Sequence, residues 1–148
     1  MARSYYSTVL DEPAGMVWSV IRDFGNYALW VDGVDDALIE DERPGDAVGA
    51  VRSVRMGETR TRQKLLAHSD RERSYTYEFC EPCHFPVRDY VATIRVTPIV
   101  DGNRAFVEWW ATFDVAVGDG NHWTKFFARS FATWLGRLRR GLAGDSLR

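Results

Sequence analysis

Cysteine is nearly absent from this chain: Cys80 and Cys83 are its only thiols in 148 residues. Two cysteines cannot build the disulfide framework that staples small exported scaffolds, so a packed core must supply the stability. An excess of one charge is lacking as well. The chain has 19 basic and 21 acidic residues, a net charge of −2. That balance gives no global field to attract nucleic acid, which is therefore not expected as a partner. No apolar run approaches the ~20 residues of a membrane helix, so stable membrane insertion is not expected either. Met1 to Tyr6 lack the apolar stretch of an export leader, which sets the expectation of a cytoplasmic protein. There is no P-loop, dinucleotide fingerprint or G-x-S-x-G elbow, and no cofactor is expected. Repeats and linkers are missing too, and the length suits one domain over 1–148.

What the chain has in abundance is aromatic surface. Six tryptophans, six tyrosines and eight phenylalanines make up 14% of the residues, within a 45% hydrophobic composition. Large flat side chains are costly to expose and well suited to lining a cavity or filling a core.

The pattern along the chain alternates from Ser4 to Leu10, then turns helical after Asp11-Glu12-Pro13, with Met16, Val17, Val20, Ile21 and Phe24 on one stripe. A second short helix is expected around Tyr27 to Val31. Strands follow over Val34–Ile39, Gly49–Met56, Arg60–Ala67, Ser74–Phe79, Val87–Val100 and Arg104–Val115, divided by Gly, Asp, Asn and Pro turns. Asn121 is the expected N-cap of a long final helix. Trp123, Phe127, Ser130, Phe131, Trp134, Leu135, Leu138 and Leu142 form its apolar stripe, and its arginines form a solvated face. The last few residues read as loose. Seven strands with helices on one side predict an α+β fold: a curved antiparallel sheet around a long helix, with a gap between them as the natural ligand site.

Several runs carry a family resemblance in the right order. They are Gly49-Ala50-Val51-Arg52-Ser53-Val54, Arg62 to Asp70, Tyr75-Thr76-Tyr77, Pro86 to Val96 and Val107-Glu108-Trp109-Trp110. The chain resembles the polyketide cyclase/dehydrase and START-like (SRPBCC, Bet v 1-like) superfamily, which implies the helix-grip fold. The superfamily contains aromatase/cyclases, lipid carriers and hormone receptors, so the resemblance does not choose an activity. Where relatives often carry a glutamate, this chain has Gln63, an amide that hydrogen-bonds but does not titrate.

Strand alternation and this resemblance place candidate residues on the concave face. Arg52, Val54 and Met56 come from one strand, Thr61, Gln63 and Leu65 from the next, then Tyr75, Tyr77 and Phe79, then Tyr90, Ala92 and Ile94. Matching to the hormone-receptor branch turns Phe106, Glu108, Trp110 and Thr112 inward. Trp123, Phe127, Ser130, Phe131 and Trp134 supply the helix wall, and Trp30, at the end of the small helix, either closes the cavity mouth or packs in the core. Glu108, Arg52 and Tyr77 are the catalytic candidates. Either Glu108 serves as acid/base or acceptor and Arg52 binds an oxyanion, or the roles are structural, with the two forming an ion pair or Glu108 bonding helix groups. Cys80-Glu81-Pro82-Cys83-His84 spells C-x-x-C-H, read here as coincidence and not as a haem or metal site. His68 and His122 are expected at the surface.

These readings lead to a binding protein for a small hydrophobic or aromatic molecule, such as a lipid, polyketide or terpenoid-like compound. The alternative is a polyketide aromatase/cyclase or dehydratase, and a third is a partner-binding protein with a vestigial pocket. Monomer and homodimer are both compatible with the sequence.

Overall fold

A computed structural model describes residues 1–144; the expected looseness of the last few residues falls outside these. Seven strands form where β-branched and aromatic residues alternate with polar ones. They are β1 (Ala2–Leu10), β2 (Asp36–Ile39), β3 (Val51–Met56), β4 (Thr59–Ser69), β5 (Ser74–Phe79), β6 (Arg88–Ile99) and β7 (Arg104–Asp114). All pairs are antiparallel, in the order β1-β7-β6-β5-β4-β3-β2. Bulges between Leu65 and Ala67 and between Arg88 and Val91 add local twist and help the sheet to curl.

Between β1 and β2 lie α1 (Ala14–Ile21), a tight helical turn over Phe24–Asn26, and α2 (Tyr27–Trp30). The long helix α3 (Gly120–Ala143) closes the chain. It starts just ahead of the expected cap at Asn121, with Asp119 as the N-cap. Its buried stripe of Phe127, Phe131, Leu135, Leu138 and Leu142 matches the apolar spacing and lies against the concave sheet face.

The core is built from rings. Trp109 of β7 stacks on Phe131 of α3, with centroids 4.6 Å apart and planes 11° from parallel. Tyr27 and Trp30 pack against the same indole, at 6.4 Å and 5.6 Å. Arg137 of α3 pairs with Asp32 at 2.8 Å and donates to the carbonyl of Leu29 at 2.9 Å, clamping the segment around α2 to the long helix.

A second clamp holds α1. The Asp70 carboxylate, in the β4–β5 turn, accepts from Trp18 Nε1 at 2.8 Å and from two guanidinium nitrogens of Arg22, both at 2.9 Å. Arg22 also reaches Asp46 at 3.1 Å. His68 belongs to this cluster rather than to the open surface. Its ring is only 8% exposed, lies 5.5 Å from the Trp18 ring and places Nε2 3.2 Å from Asp70. His122 is exposed, as expected.

Replacing Trp109 by Ala is expected to cost about 3–5 kcal/mol in urea unfolding; a cost below about 1 kcal/mol would contradict the ring core. Arg22, followed by Trp18, holds the Asp70 carboxyl well below the usual carboxylate range. The folded carboxyl is therefore the stronger acid. Its contribution to stability is complete above about pH 4 and is lost as pH falls through the folded value. Asp70→Asn is expected to lower the unfolding midpoint at neutral pH, with the deficit shrinking below about pH 4. A deficit constant across that range would contradict it.

Candidate functional site

The concave face confirms the alternation on four strands and reverses it on the fifth. Arg52 and Val54 are buried on β3, Thr61, Gln63 and Leu65 on β4, Tyr75 and Tyr77 on β5, and Tyr90, Ala92 and Ile94 on β6. On β7, Ala105, Val107, Trp109, Ala111 and Phe113 are the buried set. Phe106, Glu108, Trp110 and Thr112 therefore face outward, one residue out of phase with the expectation. The register explains why: Ala92 pairs with Ala111 and Ile94 with Trp109, so inward residues of β6 stand beside inward residues of β7. A one-residue slip would have put Arg104, Glu108 and Asp114 into the core.

On the convex face, Glu108 accepts from Tyr5 Oη at 2.7 Å and from Arg95 at 3.1 Å. Trp110 stacks on Tyr5 with centroids 6.5 Å apart, and Arg95 lies over its ring. Glu108 and Arg52 thus occupy opposite sides of the sheet, and the expected ion pair between them does not form.

Arg52 is fully buried. Its guanidinium carbon sits 3.6 Å from the Tyr27 ring centroid and 3.9 Å from that of Phe24, with the Tyr77 ring at 4.9 Å. Nε donates to Gln63 Oε1 at 2.7 Å, and Nη1 donates to the Phe24 carbonyl at 3.3 Å and Tyr75 Oη at 3.5 Å. Gln63 is therefore the arginine's own hydrogen-bond acceptor.

A pocket of about 110 Å³ lies between the sheet and the first half of α3. Val54, Met56, Thr61, Gln63, Tyr77, Phe79 and Tyr90 form its sheet wall, and Phe126, Phe127, Ser130 and Trp134 its helix wall. Tyr27 and Phe85 complete it. The floor is made of packed rings: buried Tyr90 stacks on half-buried Phe79 at 3.9 Å and meets buried Phe127 at 4.9 Å. Phe126 is 37% exposed and, with Met56 and Phe85, forms the outer rim.

Of the expected lining residues, Val54, Met56, Thr61, Gln63, Tyr77, Phe79, Tyr90, Phe127, Ser130 and Trp134 reach this pocket. Other inward candidates do not line it, Leu65, Ala92 and Ile94 among them. Trp30 is completely buried against Tyr27 and Trp109, a core residue and not a lid. Phe131 is occupied by its stack on Trp109, Tyr75 packs with Trp18 and Phe24, and Arg52 lies one layer behind the wall. Phe85 and Phe126 were not anticipated. Phe85 stands in an irregular loop with no periodicity to read, and Phe126 lies beside the apolar stripe. Tyr27 was assigned only to a short helix.

Burial pushes the Tyr77 phenol up to about 12 and holds Tyr27 and Tyr90 well above the ordinary tyrosine value. The pocket thus presents neutral hydroxyls. Cys80 and Cys83 are free thiols in the β5–β6 loop, and His84 Nδ1 lies 3.0 Å from Thr61 Oγ1.

A curved sheet gripping a long helix over an apolar pocket defines a helix-grip container. The model of the family described as "Polyketide cyclase / dehydrase and lipid transport" matches residues 1–144, and the chain belongs to that family. A structure of the protein XoxI from Bacillus cereus is 26% identical, with a TM-score of 0.83 and 95% of each chain covered. A Thermobifida fusca structure is 25% identical, with a TM-score of 0.84 over 94% of this chain and 91% of the other. A Nitrosospira multiformis protein shares the fold at 23% identity, with a TM-score of 0.82 over 99% of both chains. No curated protein matches the chain at a significant level. Among the described residues, no helix is long and apolar enough to cross a membrane.

In a spectrophotometric titration, Tyr27, Tyr77 and Tyr90 are expected to ionise only as the protein unfolds in alkali. Ionisation of all six tyrosines near pH ~10 with the fold intact would contradict their placement.

Proposed function

We propose that this protein binds a compact hydrophobic molecule, ring-bearing or short-chained, in the pocket between the sheet and α3. The observation that carries this reading is the wall itself: aromatic and aliphatic side chains from four strands and a helix surround unfilled space, with few polar groups among them. The size of that space limits the occupant. A cavity of about 150 Å³ accepts benzene, whereas drug-sized ligands need about 300–1,000 Å³. About 110 Å³ therefore suits one ring, or one segment of a lipid, polyketide or terpenoid-like compound. A longer ligand would have to turn the rim side chains Phe85 and Phe126 outward.

The catalytic alternative is less well supported. An aromatase/cyclase or dehydratase needs an acid–base pair converging on the substrate. Glu108 lies on the convex face, Gln63 does not titrate, and Tyr77 is held neutral by burial. The binding reading requires none of these groups to move a proton.

Ser130 sits on the pocket wall at a half-buried helix position, so a large side chain there fills the space without entering the core. Ser130→Trp is expected to weaken uptake of a ring-sized ligand such as toluene by about tenfold or more, followed by tryptophan fluorescence and calorimetry. Unchanged uptake would place the ligand elsewhere.

A further inference from the structure

Arg52 is a buried cation without a counter-ion. Among the described residues, no carboxylate lies within 4.0 Å of its guanidinium. The neighbouring tyrosines Tyr27 and Tyr77 are held neutral by burial and supply no negative charge. Its partners are one amide oxygen, one carbonyl, one phenol and the faces of aromatic rings. Nη2 is fully buried and has no hydrogen-bond partner. A buried charge is costly unless paired, and a buried unmet donor adds to that cost. The rings offset part of it through their quadrupoles, but they satisfy no N–H.

The unmet donor occupies a meaningful position. In a guanidinium group, Nε–H and one Nη2–H share an edge, and this fork accepts the two oxygens of a carboxylate side by side. Here one oxygen, Gln63 Oε1 at 2.7 Å, meets the Nε side of that edge. The Nη2 side is empty-handed. Gln63 also lines the pocket, as do Tyr27 and Tyr77, whose rings pack against the guanidinium. The side chain between the pocket and the unsatisfied fork is thus a neutral amide that occupies half of it.

We propose that the pocket takes hydrophobic carboxylic acids, whose carboxylate displaces the Gln63 oxygen and pairs with the Nε–Nη2 edge of Arg52. Gln63 is a placeholder acceptor. An amide releases the cation more readily than a carboxylate would, and once released it still offers a hydrogen-bond donor to the bound acid. A glutamate at this position would close the fork internally and leave nothing for a ligand to neutralise. The inference rests on the pocket-binding reading above and adds the charge of the ligand.

Calorimetry of the 148-residue chain with benzoate and with benzyl alcohol, equal in ring and near-equal in size, tests it. Benzoate is expected to bind about tenfold or more tightly, the worth of a charge-assisted hydrogen bond. Removing the arginine risks the fold, so the informative variant is Gln63→Glu. It is expected to melt no lower than the parent and to bring the benzoate-to-benzyl alcohol affinity ratio down to about one or below. Equal binding of the two compounds by the parent protein, or an unchanged ratio in Gln63→Glu, would overturn the acid preference and leave pocket binding standing. Binding of neither compound would overturn the pocket reading and the acid preference together.

Discussion

The structure depends on covering one concave sheet face with one helix, a contact in which Trp109 of the sheet stacks on Phe131 of the helix. A curled sheet and a straight helix cannot touch along their whole length. The contact is tight in the second half of α3, where Leu135, Leu138 and Leu142 are fully buried. The mismatch appears at the first half, between Phe127, Ser130 and the strands β3 to β6, and that is where the pocket lies. The pocket is thus a geometric consequence of the fold, and the rings around it determine how much of the gap stays open. Most of it is filled, and about 110 Å³ remains.

Much of this was legible in the residues. Period-two alternation located the seven strands, and the apolar stripe of the last helix located its buried face, because both signals come from burial of one side of a regular element. On four strands the same alternation also identified the inward-facing residues, some of which line the pocket and some of which pack behind it. On β7 it failed through the choice of phase. Both sets there contain aromatic residues, Phe106 and Trp110 in one, Trp109 and Phe113 in the other. The charges were the better guide: Arg104, Glu108 and Asp114 share the phase of Trp110, and burying three charges costs far more than exposing one indole. Trp30 could be read either as a lid or as a core residue, and the structure makes it a core residue. Its segment is tied to α3 by Arg137, which pairs with Asp32 and donates to the Leu29 carbonyl, a long-range link that no local pattern encodes.

The pairing of Arg52 with Gln63 was equally out of reach, although both residues stood out individually. Their partnership comes from the β3–β4 register, in which they are direct neighbours. Seen together, they change the meaning of the amide. In the sequence alone, Gln63 reads as the loss of an acid and weakens a case for catalysis. In the structure it leaves a buried guanidinium half-satisfied behind an apolar pocket, which makes a case for a charged end on the ligand.

Residue-level mapping of where a small apolar ring binds would test this account most directly. In an amide NMR titration with toluene, the perturbed signals are expected to cluster at Gln63, Tyr77, Tyr90, Phe127 and Ser130, around the pocket, with the convex-face residues Glu108 and Trp110 unaffected. Perturbations centred on the convex face, or none at saturating toluene, would contradict the claim that the gap between sheet and helix is the binding site.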